Sequence, residues 1–271
     1  MKYAFLFSIP FFIIIACSSN RNSTSQNKKK NFQIKRSLNF TQVLEGRISH
    51  IAKIFVLGGK NVTENNYESA VSGIRTYSKN HVSDVFKNIK IIKGKPIIKS
   101  EDFIKFDFKD QSGKIRTLFD SNSKFRTQLE SIYRLVHTLP DKTTIKNNSW
   151  TITDVKEVSI LGKLIKIKRV FSYTVLPSEE DSNTIKIKGK YVAESLKPLS
   201  VKGFEIEIVG KGDSEAEFNL KNGVWSHIKA KLIQGWIGST IKENREVTTG
   251  YQVITSVNLY FTRKNNGAYQ N

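Results

Sequence analysis

The chain has 271 residues, with 44 Lys and Arg against 24 Asp and Glu, giving a net charge of +20 at pH 7. A single cysteine excludes a disulfide framework and a thiolate metal cluster, so the fold must rest on burial alone. A charge this large favours anionic partners, and the length suits one large β domain or two modest ones.

The N-terminus reads as an export signal. Met1-Lys2 is a short positive segment, and Tyr3 to Ile15 is an apolar run of signal-peptide length. That run is too short to span a bilayer, which takes roughly 20 apolar residues, and Pro10 interrupts it. Ile14-Ile15-Ala16-Cys17 follows, then small polar residues. This order resembles the bacterial lipobox. The resemblance implies cleavage between Ala16 and Cys17 and acylation of Cys17, so that the membrane is a partner through the lipid. Ser18 in place of Asp implies, by the enterobacterial sorting rule, release to the outer membrane. Removing residues 1–16 takes away one charge, Lys2, and leaves +19. Residues 17–31, with no apolar side chain after the cysteine, read as a flexible tether. Residues 32–265 form the expected β-rich domain, with a sub-boundary near 120–140, and residues 266–271 are a tail.

The domain opens with short strands in residues 32–60 and a turn at Gly58-Gly59. Strands are expected in YESAVSGIRTYS and VSDVFKNIKII, then in FIKFDF, with a turn at Gln111-Ser112-Gly113 before IRTLF. One helix is expected over 121–139. Phe125, Leu129, Ile132, Tyr133 and Val136 share a face, and Arg126, Glu130 and Arg134 pair on the other. A serine caps its start and Pro140 ends it. Beyond Trp150 all segments alternate as strands: WTITDVKEV, LIKIKRVFSYTVL, NTIKIKGKYVAESL, FEIEIVGKG, SEAEFNL, VWSHIKAKLIQGWI and TTGYQVITSVNLYFTR. Turns are placed at 178–183, 210–213, 221–223 and 238–244, with Asn222-Gly223 read as a type I′ hairpin. The fold class is mainly β: a curved or two-layered antiparallel sheet, a sandwich or an open barrel, with one packed amphipathic helix.

Leu139-Pro140-Asp141-Lys142, Ser149-Trp150 and Ala216 to Val224 recur in an order that resembles a group of secreted and lipid-anchored bacterial β-rich proteins without an assigned activity. The resemblance covers residues 115–263. It implies a fold and an envelope location only. Asn147-Asn148 stands where the group has Gly-Asp.

No catalytic set is legible, and no metal or cofactor is expected. His50, His81, His137 and His227 lack ligand spacing. Glu179, Glu180 and Asp181 read as a solvated loop, and Glu205 and Glu207 as an outer polar face rather than a glycosidase pair. Trp225, Trp236, Tyr251 and Tyr260 are the densest aromatic group, either cross-strand packing or a platform facing sugar or lipid. Strand lysines such as those of KLIKIK belong on a solvent face. Nucleic acid is not an expected partner, because no Arg/aromatic cluster stacks bases. Anionic envelope or host polymers are. The first functional reading is a non-enzymatic binding or structural lipoprotein of the envelope. A carrier of lipid or of an outer-membrane client, with an apolar cleft between sheet and helix, is the second. An envelope hydrolase using carboxylates is the third.

Overall fold

The computed structural model describes residues 39–55, 62–78, 81–95, 99–111, 114–121, 126–138, 148–176, 183–197 and 199–263. Within them run twelve strands and one helix. The strands are β1 (Phe40–Phe55), β2 (Val62–Tyr77), β3 (His81–Lys93), β4 (Phe103–Gln111), β5 (Lys114–Ser121), β6 (Ser149–Ile160), β7 (Lys163–Val175), β8 (Thr184–Ser195), β9 (Leu199–Val201), β10 (Phe204–Asn219), β11 (Val224–Lys242) and β12 (Arg245–Arg263). The helix, α1 (Arg126–His137), lies between β5 and β6 in the chain. All strands join one antiparallel sheet in the order β5-β4-β3-β2-β1-β12-β11-β10-β8-β7-β6, with β9 on the first part of β10. The chain meanders outward from β1 to one edge, crosses the inner face as α1, and meanders back from the other edge to close β12 onto β1.

The sheet curls around α1. The helix packs against β5, β8, β10, β11 and β12, strands that lie far apart in the sheet order. Its polar residues also reach β6 and β7 on the far edge. This wrapping buries more of the helix than a single face. Leu129, Ile132, Tyr133, Leu135, Val136, Ser131 and His137 are all inside, while Arg126 is exposed. Arg134 pairs with Glu130 at 3.2 Å as the spacing predicts, but Arg126 turns to Asp120 on β5. Phe125 lies outside the described residues.

Glycine sets how near the helix can come. A Cβ on Gly189 would sit 2.9 Å from the Leu135 carbonyl oxygen and 2.4 Å from Ser214 Oγ. Ser214 Oγ itself donates to that carbonyl at 3.2 Å. Gly189→Val therefore pushes α1 off the sheet. The expected cost is about 1–3 kcal/mol, the usual cost of overpacking a core, read as a lower urea midpoint.

Alternation gives the sheet two distinct faces. Inward positions carry Leu44, Ile48, Phe86, Phe171, Tyr191, Ile228 and Leu259. The outer face is a ladder of alternating sign. Asp213, Glu215 and Glu217 on β10 stand opposite Lys190, Lys188 and Lys186 of β8 on one side, and Lys231, Lys229 and His227 of β11 on the other. The strand lysines thus face solvent as expected, and on these strands an acidic stripe divides them.

Several turns differ from the sequence reading. Gly210 to Asp213 is no turn, because β10 runs unbroken from Phe204 to Asn219. Its glycines mark close approach instead: a Cβ on Gly210 would meet Ala193 Cβ at 2.3 Å. Asn222-Gly223 is not a type I′ pair, because Asn222 is absent from the positive-φ residues. The loop is longer, Gly223 alone takes φ 67°, and Asn219 Oδ1 accepts from the Asn222 amide at 2.9 Å. Two-residue turns with both φ positive occur at Leu161-Gly162, Lys202-Gly203 and Glu243-Asn244. They cluster at the end of the sheet where β6–β7, β9–β10 and β11–β12 connect.

Candidate functional site

The helix is short and the strands are long. Twelve residues of helix span about 18 Å, whereas strands of 16 to 19 residues span roughly 50–60 Å. One helix therefore fills only part of the inner face. Its C-terminal half and its N-terminal half meet different surroundings.

The C-terminal half is locked by a buried charge cluster. Arg75 on β2 and Asp84 on β3 are register partners, and both side chains are 0% exposed. Arg75 Nε and Nη2 each donate to Asp84 at 2.7 Å. Nη2 also donates to His137 Nε2 at 2.9 Å, and His137 Nδ1 donates to the Tyr133 carbonyl at 3.2 Å. Those roles make His137 a neutral imidazole with its proton on Nδ1. Tyr133 donates its hydroxyl to Asp84 at 3.2 Å. The guanidinium lies 3.7 Å from the centroid of the Phe261 ring. Burial alone would pull the Arg75 pKa down, but the Asp84 carboxylate, by charge and hydrogen bonds, more than reverses this. Burial pushes the Tyr133 hydroxyl well up, with Asp84 adding to the effect.

Beside the N-terminal half a cleft remains, with a volume of about 270 Å3. Its apolar walls are Val158, Ile160, Ile167, Ala193, Ile208, Trp236, Tyr251 and Val253. Gln128, Ser131, Lys156, Arg169, Tyr191 and Gln234 supply its polar atoms, and no carboxylate is among its lining residues. Gln234 donates to Ser131 Oγ at 2.9 Å and to the Tyr191 hydroxyl at 3.3 Å, holding the helix to the cleft floor. A second apolar cluster, Ile160, Ile165, Ile167, Val201 and Ile206, continues from the cleft toward the hairpin tips, with Trp236 and Phe204 against it.

A network of five charged side chains stands behind one wall, and two of them, Lys156 and Arg169, line the cleft. Arg169 Nε and Nη2 donate to Asp154 at 2.7 and 2.6 Å, and Arg134 Nη1 donates to it at 2.9 Å. Lys156 Nζ donates to Glu130 at 3.1 Å. Burial lowers the Arg169 pKa, and Asp154 outweighs that and raises it.

The four aromatic residues singled out in the sequence do not share one surface. Trp236 and Tyr251 are register partners, and both line the cleft. Burial raises the Tyr251 pKa. Trp225 is core, 2% exposed and edge-on to Phe218 at 4.9 Å. Tyr260 is on the outer face, stacked on His227 at 4.5 Å. Glu205 and Glu207 are exposed on the outer face of β10, away from the cleft. Cys17, Ala16 and the Glu179-Glu180-Asp181 loop lie outside the described residues. Among the described residues, no three His, Cys, Asp or Glu side chains group to hold a metal ion, and no helix is long and apolar enough to cross a membrane.

His50 is buried on β1 between Thr255 of β12 and Tyr67 of β2, with Nδ1 3.3 Å from Thr255 Oγ1. Burial lowers its pKa from 6.5 to about 4. The unfolded chain thus takes up this proton below pH 6.5 and the native state only near 4. The neutral ring's contribution is complete above pH 6.5 and is lost as pH falls toward 4. Urea midpoints measured from pH 7.5 down to 4.5 should fall more steeply for the wild type than for His50→Gln.

No family model matches the chain, and no curated protein is significantly similar to it. Among solved structures, the outer membrane protein OprG from Pseudomonas aeruginosa is similar at 7% identity, over 85% of this chain and 100% of that one, with a TM-score of 0.21. A score that low does not establish a common fold.

Proposed function

We propose that the chain is a lipid-anchored envelope protein whose β domain is a non-enzymatic binding module, and that the cleft beside α1 receives one acyl-chain-like apolar ligand. The cleft carries this reading. Space left open beside a packed helix, lined mainly by apolar side chains with a few polar groups, is what a binding site for an apolar ligand requires. At about 270 Å3 it falls just below the usual range of ligand pockets, roughly 300–1,000 Å3, so it suits one chain rather than two. The hydrolase reading would need two carboxylates facing across such a space, and the lining supplies none. The reading of the outer lysines as an anionic-polymer site is weakened by the acidic stripe of β10.

The envelope address rests on the lipobox-like order ending at Cys17. Intact mass of protein extracted from membranes, compared with Cys17→Ala, tests it. A diacyl or triacyl increment lost in the variant supports the anchor, and an unacylated soluble protein overturns it. The cleft is tested by titrating a fluorescent acyl probe into the full-length protein. Saturation at one probe per chain supports the reading, and linear, unsaturable partition contradicts it.

A further inference from the structure

The polar side chains of the cleft gather beside α1, and its apolar lining continues from the level of Lys156 and its register partner Ile167 toward the hairpin tips. Lys156, Arg169, Gln128 and Ser131 lie beside the first turns of α1. Trp236 and Ile208 are register partners, two residues along their strands from Gln234 and Gly210 and on the side toward the hairpin tips. Two residues of strand amount to about 6.6 Å, and the apolar cluster continues beyond them.

The charges on the polar side do not balance. Arg134, Lys156 and Arg169 face Glu130 and Asp154, three cations against two anions, a net charge of +1. Arg169 is bound in bidentate fashion by Asp154, and its side chain is only 5% exposed. Lys156 gives one hydrogen bond to Glu130 and is 29% exposed at the cleft wall. An ammonium has three donors. A half-buried excess cation at the head of an apolar channel favours a ligand that brings one negative charge.

We infer, on the premise that the cleft binds an acyl chain, that its ligand is a single-chain amphiphile with one anionic head group held at Lys156, its chain running over Ile167, Ile208 and Trp236 toward the hairpin tips. The positive charge selects the head, and the small apolar volume selects one chain.

Trp236 reports on this directly, because bromine on a bound chain quenches a neighbouring indole. The full-length protein is titrated at pH 8 with dibromostearate and, separately, with dibromostearyl alcohol, with Trp236→Phe as the control for quenching elsewhere. Both ligands should quench saturably, the acid about tenfold or more tighter, the size of one charge-assisted hydrogen bond. Lys156→Gln should bring the acid to the affinity of the alcohol, and Lys156→Arg should keep the preference. Equal affinities in the wild type, or a preference that survives Lys156→Gln, would overturn the head-group assignment while leaving the cleft as an apolar site. Absence of saturable quenching by either ligand would overturn the premise, and the assignment with it.

Discussion

Asp84→Ala should cost about 3–5 kcal/mol of stability, the penalty for stranding a buried charge by removing its partner. The Arg75 side chain has no exposure to water. With the carboxylate gone, the guanidinium loses its two shortest hydrogen bonds and the Asp84 charge while His137 Nε2 and the Phe261 ring stay beside it, and Tyr133 loses the Asp84 acceptor for its hydroxyl. Because Tyr133 and His137 are the residues by which α1 is held at this end, the helix should loosen along with the pair. For a domain of this size the loss corresponds to a melting temperature lower by on the order of 10 °C. Asp84→Asn keeps an acceptor and should lose less. The double variant Arg75→Met, Asp84→Leu should recover most of the loss, since replacing both members of a buried pair with apolar groups is often near neutral. A loss below about 1 kcal/mol in Asp84→Ala would show that the cluster does not hold the helix.

The second large effect is expected on binding. Ala193 is 6% exposed on the floor of the cleft, directly behind the wall formed by Arg169. Ala193→Phe places an aromatic ring in the space assigned to the chain and should reduce acyl-probe affinity by more than about tenfold. Its neighbour Val192 points to the opposite face of the same strand and is 52% exposed. Val192→Phe places the same ring one residue away and should leave the affinity within about twofold. The pair of variants separates a blocked cleft from general damage to β8. Binding that is unchanged in Ala193→Phe would move the ligand elsewhere.

Much of the fold was legible because the alternation is strong. In TIKIKGKYVAES every second residue is buried, and the strand falls where the pattern puts it. The helix is also where its spacing predicts, Arg126–His137 inside the expected 121–139. Glycine carries two meanings that the sequence alone does not separate. Gly210 and Gly212 were read as a turn, yet they sit in mid-strand because neighbouring atoms come too close for a Cβ. Strand order was not legible either. Nothing local says that β5 and β6, joined through one helix, lie on opposite edges of the sheet.

The candidate site was half legible. Trp236 and Tyr251 stood out by composition, but so did Trp225 and Tyr260, and only position on the sheet separates the cleft pair from the core and the outer face. The ionic residues were missed although a signal existed. Val71, Gly73, Arg75 and Tyr77 share one strand face, and so do Val82, Asp84 and Phe86 on the next strand. An arginine and an aspartate on the apolar parity of successive strands announce a buried pair. The same holds for Asp154 and Arg169, which are also register partners. Counting charges on the solvent parity alone hides them.

The cleft is tested most directly by locating where a bound chain lies. A palmitate analogue carrying a diazirine in the carboxyl-proximal half of its chain is photolysed on the full-length protein, and the adducts are mapped by peptide mass. Adducts concentrated on Trp236, Ile208 and Ile167, and competed away by unlabelled palmitate, are the predicted result. Adducts spread over the outer face, or unaffected by competitor, would contradict a carrier function for this domain.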